Sequence, residues 1–598
     1  YNILQKNEQR NNRLLGNVFA KIDILDGLTF DTSLNFDYTE FAFDTRTQPF
    51  VQVGRIPSVF NNITVSKDRN NSLRTIWTNL LTYDFEINKH RFNLLGGVEF
   101  TKEDFESTVE LTNGVDITEY PSYIIQSDAE FRTIENEIQY RKQSFFGSLK
   151  YVYDDRYILS GSMRRDGSSR FGPNNKFAIY PAGSFAWNVS NESFLEDSDL
   201  ISNLKLRASY GINGNDQIPN FLYLSTFYNS SIGNAIEFLN YDIDGDGIGV
   251  SEGIVQARQA NPDIQWEQTA QTNVGFDIGF LRNRLTLSTD FFDKRSTDLL
   301  LQPIPQSING EAQPPFINAG EVSNIGFEAV LSYQNKAEGD WYYGVDLNFS
   351  KYENNVESLD TDNNFLLNGV SITRAGDPIA SFYGLIADGL FRTPEEVAVH
   401  AQQPGKGLGR IRYRDLNNDG VINSDDRTII GNPHPDFIYG VSLNLGYKGF
   451  NLSAYFDGKQ GHDLYNTQRN LGDFTYFSFN FGENTLDAWS PENANSNIPA
   501  LSTSNVNNET QPSSYFIEDG SYFRMKNITV GYTFPQQTTE GIGLNELRLY
   551  MSGQNLLNFT SFTGFDYEVS GLGAGGIGVA GYGIPHTKSI TFGVSTKF

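Results

Sequence analysis

The sequence contains no cysteine, which excludes a disulfide framework, thiolate metal sites and a cysteine nucleophile. It also lacks any run of the roughly 18–20 consecutive apolar residues that a spanning helix needs, so a helical membrane protein is excluded. Positive charge is scarce: 45 Lys and Arg stand against 72 Asp and Glu, a formal net charge of −27. Such a surface repels phosphate backbones, and nucleic acid is not an expected partner. The segment from Tyr1 to Arg10 is polar and has no apolar core of the kind a secretory leader carries. The expectation is that the mature chain starts here or that an amino-terminal part precedes it.

What the chain has in quantity is 46 Phe, 31 Tyr and 55 Gly, a mixture that favours half-buried strands and turns over helices. A mean hydropathy of −0.41 remains compatible with crossing a bilayer, because barrel strands place apolar residues only at every second position. Strict alternation is visible. Val274, Phe276, Ile278 and Phe280 alternate with Asn273, Gly275, Asp277 and Gly279; after Arg282, Asn283 and Arg284, Leu285, Leu287 and Phe291 stand against Thr286, Ser288 and Asp290. Similar two-faced hairpins occur at Ile325 to Phe349, at Val441 to Phe456 and at Val18 to Tyr38. One face is apolar and the other polar.

A soluble sandwich also alternates, but connection lengths decide against it. Short turns at Asp26–Gly27, Asn88 to His90, Asp154 to Arg156, Arg282 to Arg284 and Lys448–Gly449 alternate with long polar connections, the longest near 44–71, 213–265, 353–436 and 461–520. Short turns on one rim and long loops on the other mark outer-membrane barrels. The predicted class is all-β: a transmembrane antiparallel β-barrel of about seventeen strands with long extracellular loops and short periplasmic turns, residues 1–598 forming one barrel domain. An odd count cannot close an antiparallel barrel, so roughly five strands of an expected 22 or so, and a plug, are expected to precede Tyr1. The final strand, with Phe592, Val594 and the terminal Phe598 on its apolar side, is read as the signal that the outer-membrane assembly machinery recognises.

The sharpest local motif runs from Asp415 to Asp426. Asp415, Asn417, Asp419, Val421 (through its carbonyl), Asn423 and Asp426 occupy the ligand positions of an EF-hand-type calcium loop, with Gly420 at the sharp turn. Asp426 replaces the usual Glu at the closing position, and no flanking helix pair is evident. The expected role is therefore a structural Ca2+ clip; a loop of Asx turns that only resembles one is the alternative. Asp242, Asp244, Asp246 and Glu252 form a weaker second candidate. Gly571 to Gly576 matches the dinucleotide pattern without a following helix and is rejected, so no organic cofactor is expected. His90, His400, His434, His462 and His586 are scattered without ligand spacing, and no nucleophile motif accompanies them; the chain is not expected to be an enzyme. Loop aromatics such as Tyr383, Phe391, Tyr465, Phe474, Tyr476 and Phe477 suit stacking on sugars, but are expected mostly to pack the loops together or to join the membrane-interface girdle.

Several segments resemble the SusC/RagA family of TonB-dependent outer-membrane transporters of Bacteroidetes. They are Asn318-Ala-Gly-Glu-Val322 with Asn324-Ile-Gly-Phe-Glu328; the Asp415 to Asp426 loop running into Ile430-Gly-Asn-Pro-His-Pro-Asp-Phe437; Glu518 to Ile528; Gly531-Tyr-Thr-Phe-Pro535; Ser552-Gly-Gln-Asn-Leu556; and the terminal Phe598. The resemblance implies the outer membrane of a Gram-negative bacterium, a SusD-like surface lipoprotein as lid, and a glycan or peptide ligand. It also implies active import powered by the TonB complex through an amino-terminal plug. The alternative from a different class is a non-transporting adhesion or scaffold barrel with calcium-stiffened loops.

Overall fold

The computed structural model describes residues 5–47, 50–52, 58–60, 64–119, 122–195, 198–229, 254–303, 313–335, 339–360, 364–476, 481–568, 576–581, 583 and 585–597. Two compact units divide the chain: Tyr1–Phe185 with Tyr210–Thr269 and Asp298–Asn318, and Ala186–Ser209 with Ala270–Thr297 and Ala319–Phe598. In the first unit β1 (Gln5–Leu25), β2 (Leu28–Thr47), β3 (Thr64–Ile87), β4 (His90–Glu119), β5 (Ser122–Tyr153) and β6 (Tyr157–Ser168) each pair antiparallel with the next. β7 (Phe177–Asn188), β8 (Ile201–Asn215), β9 (Glu267–Phe280), β10 (Leu285–Leu301) and β11 (Ile317–Gln334) follow. In the second unit β11 leads into an antiparallel meander of β12 (Trp341–Leu359), β13 (Phe437–Tyr447), β14 (Phe450–Gln460), β15 (Tyr522–Thr533), β16 (Glu546–Thr560) and β17 (Ser589–Lys597). These make up a 17-stranded sheet, as the alternation led one to expect.

Register explains the two-faced pattern. Leu14, Val18 and Ile22 of β1 lie opposite Tyr38, Leu34 and Phe30 of β2, yet they are 60%, 67% and 52% exposed. A soluble sheet would cover such a continuous apolar face; here lipid covers it. The opposite face is polar: Arg13 holds Asp37 bidentately at 2.9 and 2.7 Å. The short turns carry the left-handed backbone that tight hairpins need, with φ of 43° at Lys448 and 88° at Gly449.

The strands run further than the loop boundaries suggested. β4 and β5 have 30 and 32 residues, whereas roughly 9–11 tilted residues span a bilayer. The ladder between β2 and β3 continues to Thr47 opposite Thr64, and β12 continues to Leu359, so polar stretches assigned to connections are strand. Cross-strand charge pairs such as Arg69 with Asp44 at 2.6 Å support the ladder where water, not lipid, surrounds it.

Candidate functional site

On the polar face of the second unit, alternation puts Arg207 of β8 beside Asp277 of β9 and Ser288 and Asp290 of β10. Arg207 donates to Asp277 at 3.0 Å from Nε and Nη2 and to Asp290 at 2.9 and 3.1 Å. Ser288 completes the group at 2.6 Å from Asp277. Asp277, Ser288 and Asp290 are on the polar face that the alternation predicts; the structure shows them neutralised in part by Arg207, which the sequence analysis did not single out.

Above the strands of the second unit, residues between β12 and β13 and between β14 and β15 fold together around their own apolar core. Phe382, Leu385, Leu390, Ile411, Tyr413, Ile422, Tyr465, Phe474 and Phe516 are buried in it. Phe391 is also fully buried, while Tyr383 and Tyr476 are partly buried and Phe477 lies outside the described residues. Packing, not ligand stacking, is what the buried aromatics of these loops do. A charged group is sealed into the same region. The Glu509 carboxylate accepts from Arg410 at 2.8 Å and from the Ile411 N–H at 3.0 Å. Burial pushes this carboxyl above its ordinary range, and Arg410 pulls it only part of the way back.

A second ionic clamp fastens the connection between β16 and β17. Arg524 of β15, 2% exposed in its side chain, donates to Asp457 of β14 at 2.8 and 2.9 Å and to Glu568 at 2.7 Å. His586 approaches Glu568 at 2.7 Å. Burial pushes the Glu568 carboxyl up, but Arg524 and His586 outweigh it and hold it below the usual range. Arg524 lies in the Glu518 to Ile528 segment that carried the family resemblance; its partners are separated from it by 67 and 44 positions and could not be read off.

Next to the loop core lies an open cavity of about 970 Å3 walled by Asn466, Gln468, Phe481, Asn484, Glu518 and Phe565 among others. Phe481 and Phe565 are 47% and 61% exposed. Unlike the buried loop aromatics, these two can stack on a ligand, with carboxamides and a carboxylate beside them for hydrogen bonding.

The residues of the candidate calcium loop are gathered in one turn. Asp415 Oδ2 accepts from the Gly420 N–H at 2.9 Å, Asn417 from Asp419 N–H at 3.0 Å, and Asp419 from Val421 N–H at 2.8 Å. Gly420 takes a φ of 83°, which its lack of a Cβ permits. Asp426 is fully buried and spends its two oxygens on the N–H groups of Leu416 at 2.8 Å and Asn423 at 2.9 Å; Asn423 caps Asp425 N–H at 2.6 Å. The loop is thus held by its own side chains, and among the described residues no three acidic or imidazole groups converge on a metal-sized point. One atom fits a cation: Asp415 Oδ1 is buried without a hydrogen-bond partner.

Asp242, Asp244, Asp246 and Glu252 lie outside the described residues, as does Phe598. Phe592 and Val594 stand on the lipid-facing side of β17, 77% and 66% exposed, opposite Met551 and Leu549 of β16. The histidines are not brought together: His90 meets Tyr151 at 2.7 Å, His434 the Ile379 carbonyl at 3.0 Å, and His400 Gln403 at 3.3 Å. Burial drops His462 to about 4, so it stays neutral at ordinary pH.

Residues 2–420 match the family model described as TonB dependent receptor-like, beta-barrel. TonB-dependent receptor P3 of Formosa agariphila is 31% identical over 99% of this chain, which spans 58% of that protein. TonB-dependent receptor SusC of Bacteroides thetaiotaomicron is 28% identical over 76% of the chain, covering 43% of its own length. The chain thus spans about half the length of the curated relatives it matches. Among solved structures, the RagAB peptide transporter superposes over 100% of this chain and 63% of that one, with a TM-score of 0.84 at 24% identity, a likeness of fold. With lipid-facing strands, a polar opposite face and folded long loops in place, the chain belongs to the TonB dependent receptor-like β-barrel family of the bacterial outer membrane.

Proposed function

We propose that the full-length protein actively imports a bulky oligosaccharide or peptide. A SusD-like lipoprotein would close over the long loops, and the TonB complex would supply energy through a plug carried elsewhere in the protein. The observation that carries this reading is the division of labour on the long-loop side: a self-packed loop core that buries most of its aromatics, beside a cavity where Phe481 and Phe565 remain exposed among amide and carboxylate groups. Ligand captured there would pass along the polar face that Arg207, Asp277 and Asp290 line. Purifying the full-length protein from native membranes, identifying co-purifying proteins and bound ligand by mass spectrometry, and measuring uptake with and without membrane energisation tests it. A stoichiometric surface lipoprotein and energy-dependent uptake are expected; no lipoprotein and no uptake would move the reading to a scaffold barrel.

The loop from Asp415 to Asp426 is proposed to take Ca2+, supported by the unpartnered buried oxygen of Asp415 and the EF-hand-like order of donors. Its internal hydrogen bonds already hold the turn, so the ion would add stiffness to an acidic segment without creating its fold. Protease cleavage of this loop is expected to slow severalfold with millimolar calcium, and Asp415→Asn with Asp419→Asn should abolish the difference while barrel insertion is kept. Equal cleavage rates with calcium and with chelator would leave the loop as an Asx-turn ladder only.

A further inference from the structure

The lipid-facing side of the first unit carries an anomaly for a chain of this charge. Lys102 of β4 and Arg141 of β5 are direct cross-strand partners on the same face, a like-charge pairing that costs stability unless an anion sits between them. Asp104 answers both, 2.7 Å from Lys102 and 2.8 Å from Arg141. Beside them Lys176, exposed, and Arg165, stacked over the Phe177 ring at 4.2 Å, have no carboxylate partner among the described residues. Lys102, Arg141 and Lys176 wall a cavity of about 430 Å3 with Trp77, Phe100 and Phe177. A Cβ at Gly167 would run into Phe177, so the glycine lets that ring lie flat against the strand as the cavity floor. Lys142, on the same wall, is turned away to Asp166 and Asp216 at 3.8 Å.

The height of this cavity can be read from the register. At the short-turn end, Phe85 stacks on Phe92, which meets Tyr151, and Tyr153 stacks on Tyr157, a cluster fit for the aromatic girdle of one membrane interface. Along β5 the step from Tyr153 to Gln143, which lies opposite Phe100, is ten residues. At about 3.3 Å per residue and a tilt of about 40°, that rises about 25 Å, the height of the apolar band of an outer-membrane barrel. Trp77, Phe100 and Phe177 therefore sit at the opposite interface, and Lys102 and Arg141 stand one pleat beyond it, at headgroup level.

We propose that this cavity is a binding site for the phosphorylated headgroup of a lipid in the leaflet on the long-loop side. The cations hold the phosphate by charge and by hydrogen bonds from the two lysine ammoniums, and the three aromatic rings take the first acyl or sugar carbons. The inference rests on the placement in the membrane and is independent of what the protein imports. The full-length protein in detergent is titrated with bis-phosphorylated lipid A, with the same glycolipid stripped of phosphate, and with inorganic phosphate. Lys102→Gln with Lys176→Gln is the test variant; Arg141 is kept because it also donates to the carbonyls of Glu103 and Tyr140 at 3.2 and 2.9 Å. Heat-modifiable gel mobility equal to the parent's shows the variant barrel is folded. The expected result is salt-sensitive binding of the phosphorylated lipid, at least tenfold weaker in the variant and for the stripped lipid. Equal binding of the two lipids, equal binding by parent and variant, or displacement by inorganic phosphate at the lipid's own concentration would each overturn it.

Discussion

Arg524→Met is expected to free the connection between β16 and β17 from the strands beneath it, at a cost of about 3–5 kcal/mol, the range for removing one partner of a buried ion group. The size follows from burial. Arg524 is almost wholly enclosed, and both carboxylates it holds, Asp457 and Glu568, are themselves largely covered. Without the guanidinium, two negative groups face each other with their hydration already lost, and the segment bearing Glu568 is the part able to move. Hydrogen exchange of residues 561–568 is the measurement: protection should fall while the ladder between β15 and β16 is kept. Arg524→Lys should rescue poorly, because one ammonium cannot serve two carboxylates in the fork geometry. Adding Glu568→Gln to Arg524→Met should recover a large part of the loss, since it removes one of the stranded charges. Unchanged exchange in Arg524→Met would show that the apolar contacts of Phe562 with Leu464 and Ala580 hold the connection by themselves.

Glu509→Ala is the second large effect, acting inside the loop core. It strands Arg410 and the Ile411 N–H, while the Asn507 amide keeps its bond to the Ile411 carbonyl at 3.1 Å. A loss of about 3–5 kcal/mol in the stability of the folded loops is expected, because a buried guanidinium then has no counter-charge. Glu509→Gln keeps the shape and an acceptor oxygen and should cost less. Limited proteolysis between β12 and β13 reads the result, with barrel mobility on gels as the control that the strands persist. If the alanine variant resists protease as the parent does, the core of Phe382, Tyr413 and Tyr465 is sufficient without the ion pair.

Both effects concern partners that no local pattern announces. Alternation within each strand displays the faces, so Val274 to Phe280 and the hairpins like it were legible: a strand's period of two is a property of consecutive residues. The turns were legible too, since a chain that reverses within two residues needs a left-handed backbone, and Asp26–Gly27 and Lys448–Gly449 supply it. Loop boundaries were not, because polar strand continuing into water has the same composition as loop; β2 and β3 past Asp44 and Asn71 show this. The candidate calcium loop was visible as an order of donors, but the sequence could not show that Asp426 would spend its oxygens on the N–H groups of Leu416 and Asn423.

The sequence by itself determined that this is a β-chain with a lipid face and a polar face, short turns at one rim and long acidic connections at the other, because each of these depends on near neighbours in the chain. Only the tertiary structure decided which charges meet. Arg524 with Asp457 and Glu568, Arg410 with Glu509, Arg207 with Asp277 and Asp290, and Lys102 facing Arg141 at the membrane rim are all set by strand register and loop packing. Those follow from burying apolar surface, and within the strands a one-residue slip would turn a charged side chain to the opposite face and break its pair.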